Sequence, residues 1–191
     1  MPDAGTFFAV VGPSGAGKDT LIAASRNRLE HRPEFVFPRR WITRRPDQGS
    51  EDHIAVDLGE FYCLRDQGRF LLTWRAHGLN YGIPAEITRH LEYGQHVIAN
   101  LSRSVLQQAS KLMVNMRIVH VTAPPDIVSM RLAARGREDR EQIRARMLRP
   151  SPDLSTIATV TEIDNGGTLD EAAEAFMRCL ESGTGGSISA T

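Results

Sequence analysis

The segment Gly12-Pro13-Ser14-Gly15-Ala16-Gly17-Lys18 constrains this chain more than any other stretch. It follows directly on the apolar, β-rich run Thr6 to Val11, and a helical pattern starts at Lys18 and continues to about Leu29. A strand that turns into a helix through glycines presents the helix's first N–H groups without partners. Those groups converge on an anion, and the helix N-terminus adds partial positive charge. The spacing G-x-x-x-x-G-K in this strand–loop–helix context predicts a loop that cradles the phosphates of a nucleotide. Gly12, Pro13, Ser14, Gly15, Ala16, Gly17, Lys18, Asp19 and Thr20 are the candidate nucleotide-binding residues. Lys18 supplies the full charge that the β- and γ-phosphates need.

The residue after the lysine is normally Ser or Thr, whose hydroxyl meets Mg²⁺. Here it is Asp19. A carboxylate is a hard oxygen ligand that suits Mg²⁺ directly or through water. The same charge would also favour a helix start with no metal present. There is no N-K-x-D, the guanine-reading motif of GTPases. No apolar strand ends in Asp except the segment Val160 to Asp164. A small-molecule kinase fits better than a GTPase switch.

A chain of 191 residues suits one α/β domain with a single core. The hydrophobic share of 41% and charged share of 24% exclude a disordered, collagen-like or coiled-coil chain. Lys+Arg and Asp+Glu both total 23, so a chain-wide basic field for nucleic acid is absent. Only Lys18 and Lys111 are lysines, so a lysine at a chemical position carries weight. Cys63 and Cys179 form no C-x-x-C, which suits a reducing compartment and gives no metal framework. Neither a secretion signal nor an 18-residue apolar span is visible, so a cytoplasmic protein without membrane contact is expected.

Further strands are predicted at Phe35–Ile42, interrupted by Pro38, at Phe70–Ala76 and Leu79–Ile83 as a hairpin, and at His96–Leu101, Met116–Thr122 and Thr156–Ile163. Helices are predicted at Leu58–Gln67, from Pro84 to before Gly94, from Ser102 to about Leu112, from Pro125 to Ala134, from Asp139 onward, and at Leu169–Leu180 capped by Thr168. The alternation argues for a mainly parallel sheet with helices on both faces. The expected layout is one domain over residues 1–181. Its core covers 5–38 and 84–181, a small inserted sheet about 39–83, and a tail at 182–191 is flexible.

Arg39, Arg40, Arg44 and Arg45 crowd seven residues, which fits either an anion among them or a solvated basic face. Glu51, Asp52 and His53 could hydrogen-bond sugar hydroxyls or form an ordinary polar loop. Residues 131 to 149 hold seven arginines. Such a run is commonly a solvated helix face, though Gly136 within it suggests a hinge.

The order G-P-S-G-A-G-K, I-T-R-R-P-D-Q-G-S-E, H-G-L-N-Y-G, R-L-A-A-R-G-R-E, I-D-N resembles the guanylate kinase family over about residues 5 to 181. The resemblance implies a P-loop, nucleoside-monophosphate-kinase-like fold. It implies that Arg44 and Tyr81 hold the acceptor's phosphate and that about 135–149 is a lid. Arg135, Arg137 and Arg146 would then act with Lys18 as catalytic residues. Asp164 to Gly167 resembles the loop beside the adenine. Departures are specific: Asp47 replaces a second acceptor-phosphate arginine, Leu72 the glutamate that reads guanine, and Ile83 a Ser/Thr. Asn100-Leu101-Ser102 replaces an acidic strand end.

The set G-K-D-T, R-W-I-T-R, G-S-E-D-H, Y-G-I and R-G-R-E is similar to the ribose 1,5-bisphosphate phosphokinases of the phosphonate-degrading carbon–phosphorus lyase pathway. That resemblance implies ATP as donor with Mg²⁺, held in part by Asp19, and a phosphorylated sugar as acceptor. The product implied is 5-phosphoribosyl 1-diphosphate. It implies acceptor contacts from Arg40, Arg44, Glu51, His53 and Tyr81, and no need for a guanine reader. The competing expectations are a nucleoside monophosphate kinase of altered specificity and a non-catalytic guanylate-kinase-like module that captures phosphorylated peptides.

Overall fold

The computed structural model describes residues 4–45, 51–134 and 153–184. Strand β1 (Phe7–Val11) is followed by helix α1 (Lys18–Arg28), β2 (Phe35–Val36), β3 (Arg40–Ile42), β4 (His53–Ala55) and α2 (Leu58–Asp66). The hairpin β5 (Phe70–Ala76) and β6 (Leu79–Pro84) leads to α3 (Ile87–Glu92), β7 (His96–Asn100), α4 (Leu106–Leu112), β8 (Met116–Thr122) and α5 (Pro125–Ala134). Strand β9 (Thr159–Asp164) and α6 (Leu169–Ser182) complete the described chain.

One sheet is five-stranded and parallel throughout, in the order β2-β7-β1-β8-β9. A parallel sheet covered on both faces needs strands without a polar side, and every residue of β1 is fully buried. Its side chains alternate between two cores. Phe8 and Val10 pack with Leu21 of α1 and Phe176 of α6. Phe7, Ala9 and Val11 pack with Leu106 of α4 and with Ile42, Leu72, Trp74, Tyr81 and Ile83. The last five come from a second, mixed sheet of order β4-β3-β6-β5. The second sheet therefore shares the core that supports the phosphate loop.

Local signals account for most boundaries. Asp57 caps α2 by accepting from Glu60 N, and Thr168 with Glu171 forms a reciprocal capping box at α6. His77 and Gly78 both have positive φ, as a two-residue hairpin turn requires.

Three expectations are corrected. Phe35–Ile42 is two strands in different sheets, because Pro38 removes an N–H and fixes φ where continuous pairing would be needed. Pro84 does not open a helix but closes β6 opposite Phe70, beyond the last rung to β3, where its missing N–H costs nothing. The last strand starts at Thr159, since Asp153 accepts from Ser155 N and starts a 3₁₀ turn over Leu154–Thr156. The predicted helix from Asp139 and most of the tail lie outside the described residues. Among the described residues, no helix is long and apolar enough to cross a membrane.

Candidate active site

Connections leave β1 toward β2 on one side, while later strands fill the other. Ligands of open parallel sheets bind at the carboxyl ends of strands at such a point. The loop from Gly12 starts there. A Cβ on Gly12 would lie 2.1 Å from the Val121 carbonyl oxygen, so only glycine lets the loop leave the sheet so close to β8. Gly17 precedes α1 in the left-handed conformation, and no side chain caps this helix. The first-turn N–H groups are thus left for an anion. Lys18 Nζ donates to the carbonyl oxygens of Gly12 and Pro13, both at 2.9 Å, which ties the ammonium to the loop.

Asp19 and Thr20 lie in the first turn of α1, with Thr20 exposed. Asn100, at the end of β7, donates from Nδ2 to Asp19 Oδ1 at 2.6 Å. Among the described residues no three His, Cys, Asp or Glu side chains gather as a metal cage. Mg²⁺ commonly takes one or two carboxylates and fills its remaining positions with water and substrate phosphates. A single oriented carboxylate beside a phosphate loop fits that chemistry. His120, paired with Val11 in the sheet, is held below the usual imidazole range chiefly by burial, with Arg103 and Lys18 adding to the effect against Glu162.

The second sheet builds the opposite side of the site. Arg44, just past β3, donates to the Tyr81 hydroxyl at 3.3 Å. Trp74 stacks on Tyr81 with centroids 5.3 Å apart and planes 5° from parallel, which fixes the ring that carries the hydroxyl. Sequence reading did not single out Trp74. Its place in the alternation of β5 was the available signal.

His53 Nδ1 lies 2.9 Å from the Glu51 carbonyl oxygen. A carbonyl only accepts, so Nδ1 carries the proton. Its Nε2 is buried without a partner among the described residues. With the proton on Nδ1, Nε2 is free to accept a hydrogen bond from a ligand hydroxyl. The structure thus brings together Arg44, Tyr81 and the β3–β4 pair that carries His53.

Arg40 is tied to protein partners of its own. Its guanidinium makes a bidentate pair with Glu51, 2.5 Å on each side, and a third bond to the Asn100 carbonyl oxygen at 3.1 Å. It also lies over Tyr81. Both members of the pair are nearly buried, at 10% and 13% exposure. Arg40 and Glu51 therefore form a preassembled wall of the cleft between α1 and the second sheet. Asp52 lines that cleft too, paired with Arg26 of α1 at 2.8 Å and with Arg39 at 3.7 Å.

The positions where the resemblance puts guanine-reading groups are apolar and closed. Leu72 is 1% exposed and Ile83 0%. Leu101 is buried as well, and Ser102 caps the turn before α4. Asp47 and the lid candidates Arg135, Arg137 and Arg146 lie outside the described residues. One arginine of the same run is described. Arg131 on α5 has a buried nitrogen, NH1, without a partner among the described residues, 3.6 Å from where a Cβ on Gly17 would stand. The sequence signal was its place four residues before Arg135 on a helix.

The chain is 46% identical over 180 residues to ribose 1,5-bisphosphate phosphokinase PhnN of Agrobacterium fabrum, covering 94% of this chain and 98% of that one. The protein of the same name from Brucella melitensis is 43% identical over 176 residues, 92% of each chain. No family model matches. Guanylate kinase from Anaplasma phagocytophilum superposes with a TM-score of 0.71 over 97% of this chain and 89% of its own, at 14% identity. That likeness shows a guanylate-kinase-like fold. The near end-to-end match to curated relatives carries the classification further: the chain belongs to the ribose 1,5-bisphosphate phosphokinase family.

Proposed function

We propose that this protein transfers the γ-phosphoryl group of ATP to the 1-phosphate of ribose 1,5-bisphosphate, giving 5-phosphoribosyl 1-diphosphate and ADP. The observation that carries the reading is a contrast within the second sheet. The phosphate handles Arg44 and Tyr81 are in contact, while Leu72 and Ile83 are sealed in the core where a base would be read. A site without polar groups for guanine suits an acceptor that has no base.

An acceptor phosphate oxygen forms the new bond to the γ-phosphorus, and the bond from that phosphorus to the β–γ bridging oxygen breaks. The nucleophile is already largely ionised, because the second pKa of a phosphate monoester is about 6. No general base is required, and rate comes from alignment and charge neutralisation. The loop amides and Lys18 hold the donor, with Arg131 reaching toward the same loop. Arg44, Tyr81 and His53 hold the acceptor, backed by the Arg40–Glu51 pair. Asp19, oriented by Asn100, would hold Mg²⁺, which neutralises charge on the phosphates when bound. Arg135, Arg137 and Arg146 are assigned to a lid over about 135–149 that excludes water. The partners are small molecules in the cytoplasm. Comparing ATP turnover on ribose 1,5-bisphosphate with turnover on GMP tests the reading. Equal kcat/KM for the two acceptors overturns it.

A further inference from the structure

Asn165 is the first residue after β9 and is 3% exposed, one of few polar side chains buried in the described chain. A buried amide needs partners, and this one spans the molecule to find them. Its Nδ2 donates to the Ala16 carbonyl oxygen at 2.7 Å, 149 positions away. Its backbone N–H donates to the Thr122 carbonyl oxygen at 2.8 Å, which anchors it to the end of β8. A Cβ on Gly17 would lie 2.3 Å from the same Nδ2, so the amide occupies the space that a side chain at 17 would take.

These contacts bear on the shape of the phosphate loop. A backbone that points successive N–H groups at an anion must send its carbonyls elsewhere, and a buried carbonyl left unpaired destabilises that shape. The Ala16 carbonyl is such a group, two residues before Lys18, and Asn165 supplies its donor. We infer that Asn165 is a positioning residue that holds the phosphate loop in its anion-binding form through the Ala16 carbonyl. The inference rests on the reading of Gly12–Lys18 as a nucleotide-phosphate site. It assigns Asn165 to the triphosphate, not to the base.

The test uses the full chain and two probes, Mg²⁺-tripolyphosphate and adenosine, with wild type, Asn165→Ala and Asn165→Asp. Asn165→Asp keeps the shape but loses the donor, and it sets a carboxylate against the Ala16 oxygen. Both variants are expected to weaken tripolyphosphate binding by about fivefold or more, the range for one buried hydrogen bond, with Asn165→Asp the weaker binder. Adenosine binding should be unchanged. A general loss of structure would weaken both probes together and overturn the inference, as would unchanged tripolyphosphate affinity in a folded variant. In the unmodified chain the Asn165 side-chain amide protons should exchange slowly with solvent, and fast exchange overturns the inference even if neither variant folds. Failure of wild type itself to bind tripolyphosphate would instead remove the nucleotide-site reading.

Discussion

Asp19 Oδ1 and Asn100 Nδ2 stand 2.6 Å apart, although 81 positions separate the two residues. The commoner arrangement puts a hydroxyl after the loop lysine and a carboxylate on a strand end for the metal. Here the carboxylate is on α1 and the strand end carries a neutral amide. The negative charge thus sits on the helix, and the amide fixes its orientation. Asp19→Asn should raise the Mg²⁺ concentration for half-maximal rate by about tenfold or more, since an amide is the poorer hard ligand. Asn100→Ala should raise it by about fivefold, the value of one hydrogen bond of about 1 kcal/mol. Asp19→Ser should retain more rate than Asp19→Ala. Mg²⁺ titrations of the four variants check this, and an unchanged midpoint in all of them removes Asp19 from the metal site.

Lys18 Nζ donates to two carbonyls of the phosphate loop itself, which places its charge at the site of chemistry. Lys18→Ala should lower kcat by about 10²-fold or more. Stability should change by less than about 1 kcal/mol. Turnover and thermal denaturation on the same preparation separate the two effects.

Leu72→Glu should not create a guanylate kinase. A carboxylate placed at a position that is 1% exposed has no partner there and costs roughly 3 kcal/mol or more. The expected result is a large drop in Tm with no gain in kcat/KM for GMP. Efficient GMP turnover by this variant would mean that the position opens in solution.

The Arg40–Glu51 pair is nearly buried, so removing one partner strands the other. Arg40→Ala should destabilise the fold by about 3–5 kcal/mol in urea unfolding. The double variant Arg40→Met, Glu51→Leu should recover most of that loss while acceptor KM stays raised. Recovery of both stability and KM would show that the pair does not shape the cleft.

Acid should destabilise the protein before its carboxylates titrate. His96 Nδ1 accepts from Thr6 N–H at 3.1 Å, which requires an unprotonated nitrogen. Burial holds this imidazole below its ordinary value of 6.5, with Glu34 opposing and Arg32 adding to the shift. A depressed folded pKa means that the unfolded chain binds the proton first. The stability is therefore complete above the ordinary imidazole range and is lost as pH falls below it. His120 acts in the same direction. Tm should fall between pH 7.5 and 5.5, and His96→Gln should flatten that slope. An identical slope in the variant removes His96 as the cause.

What the sequence made legible follows the range of each interaction. The loop Gly12–Lys18, the span of β8 and the turn at His77-Gly78 depend on neighbours within a few residues, so spacing and alternation sufficed. The break at Pro38 was visible as a proline, but its role in sending the two halves to different sheets needed the partners of β2 and β3. Arg40 read as one of a cluster that holds an anion or faces solvent, because its partner Glu51 lies eleven positions away along a different strand approach. Asn165 and Arg131 lie in segments that the sequence marks, but their contacts with the phosphate loop depend on residues more than a hundred positions away.

The core that the two sheets share has an evolutionary consequence. Leu72 and Ile83 pack with Phe7, Ala9 and Val11, so the positions that the proposed function ties to acceptor choice also keep the chain folded. A single polar substitution toward base recognition at either position would cost folding stability, because both side chains are buried. Changes of substrate are instead open on the Arg26, Arg39 and Asp52 side of the cleft, where partly exposed ion pairs can be exchanged without disturbing the interior.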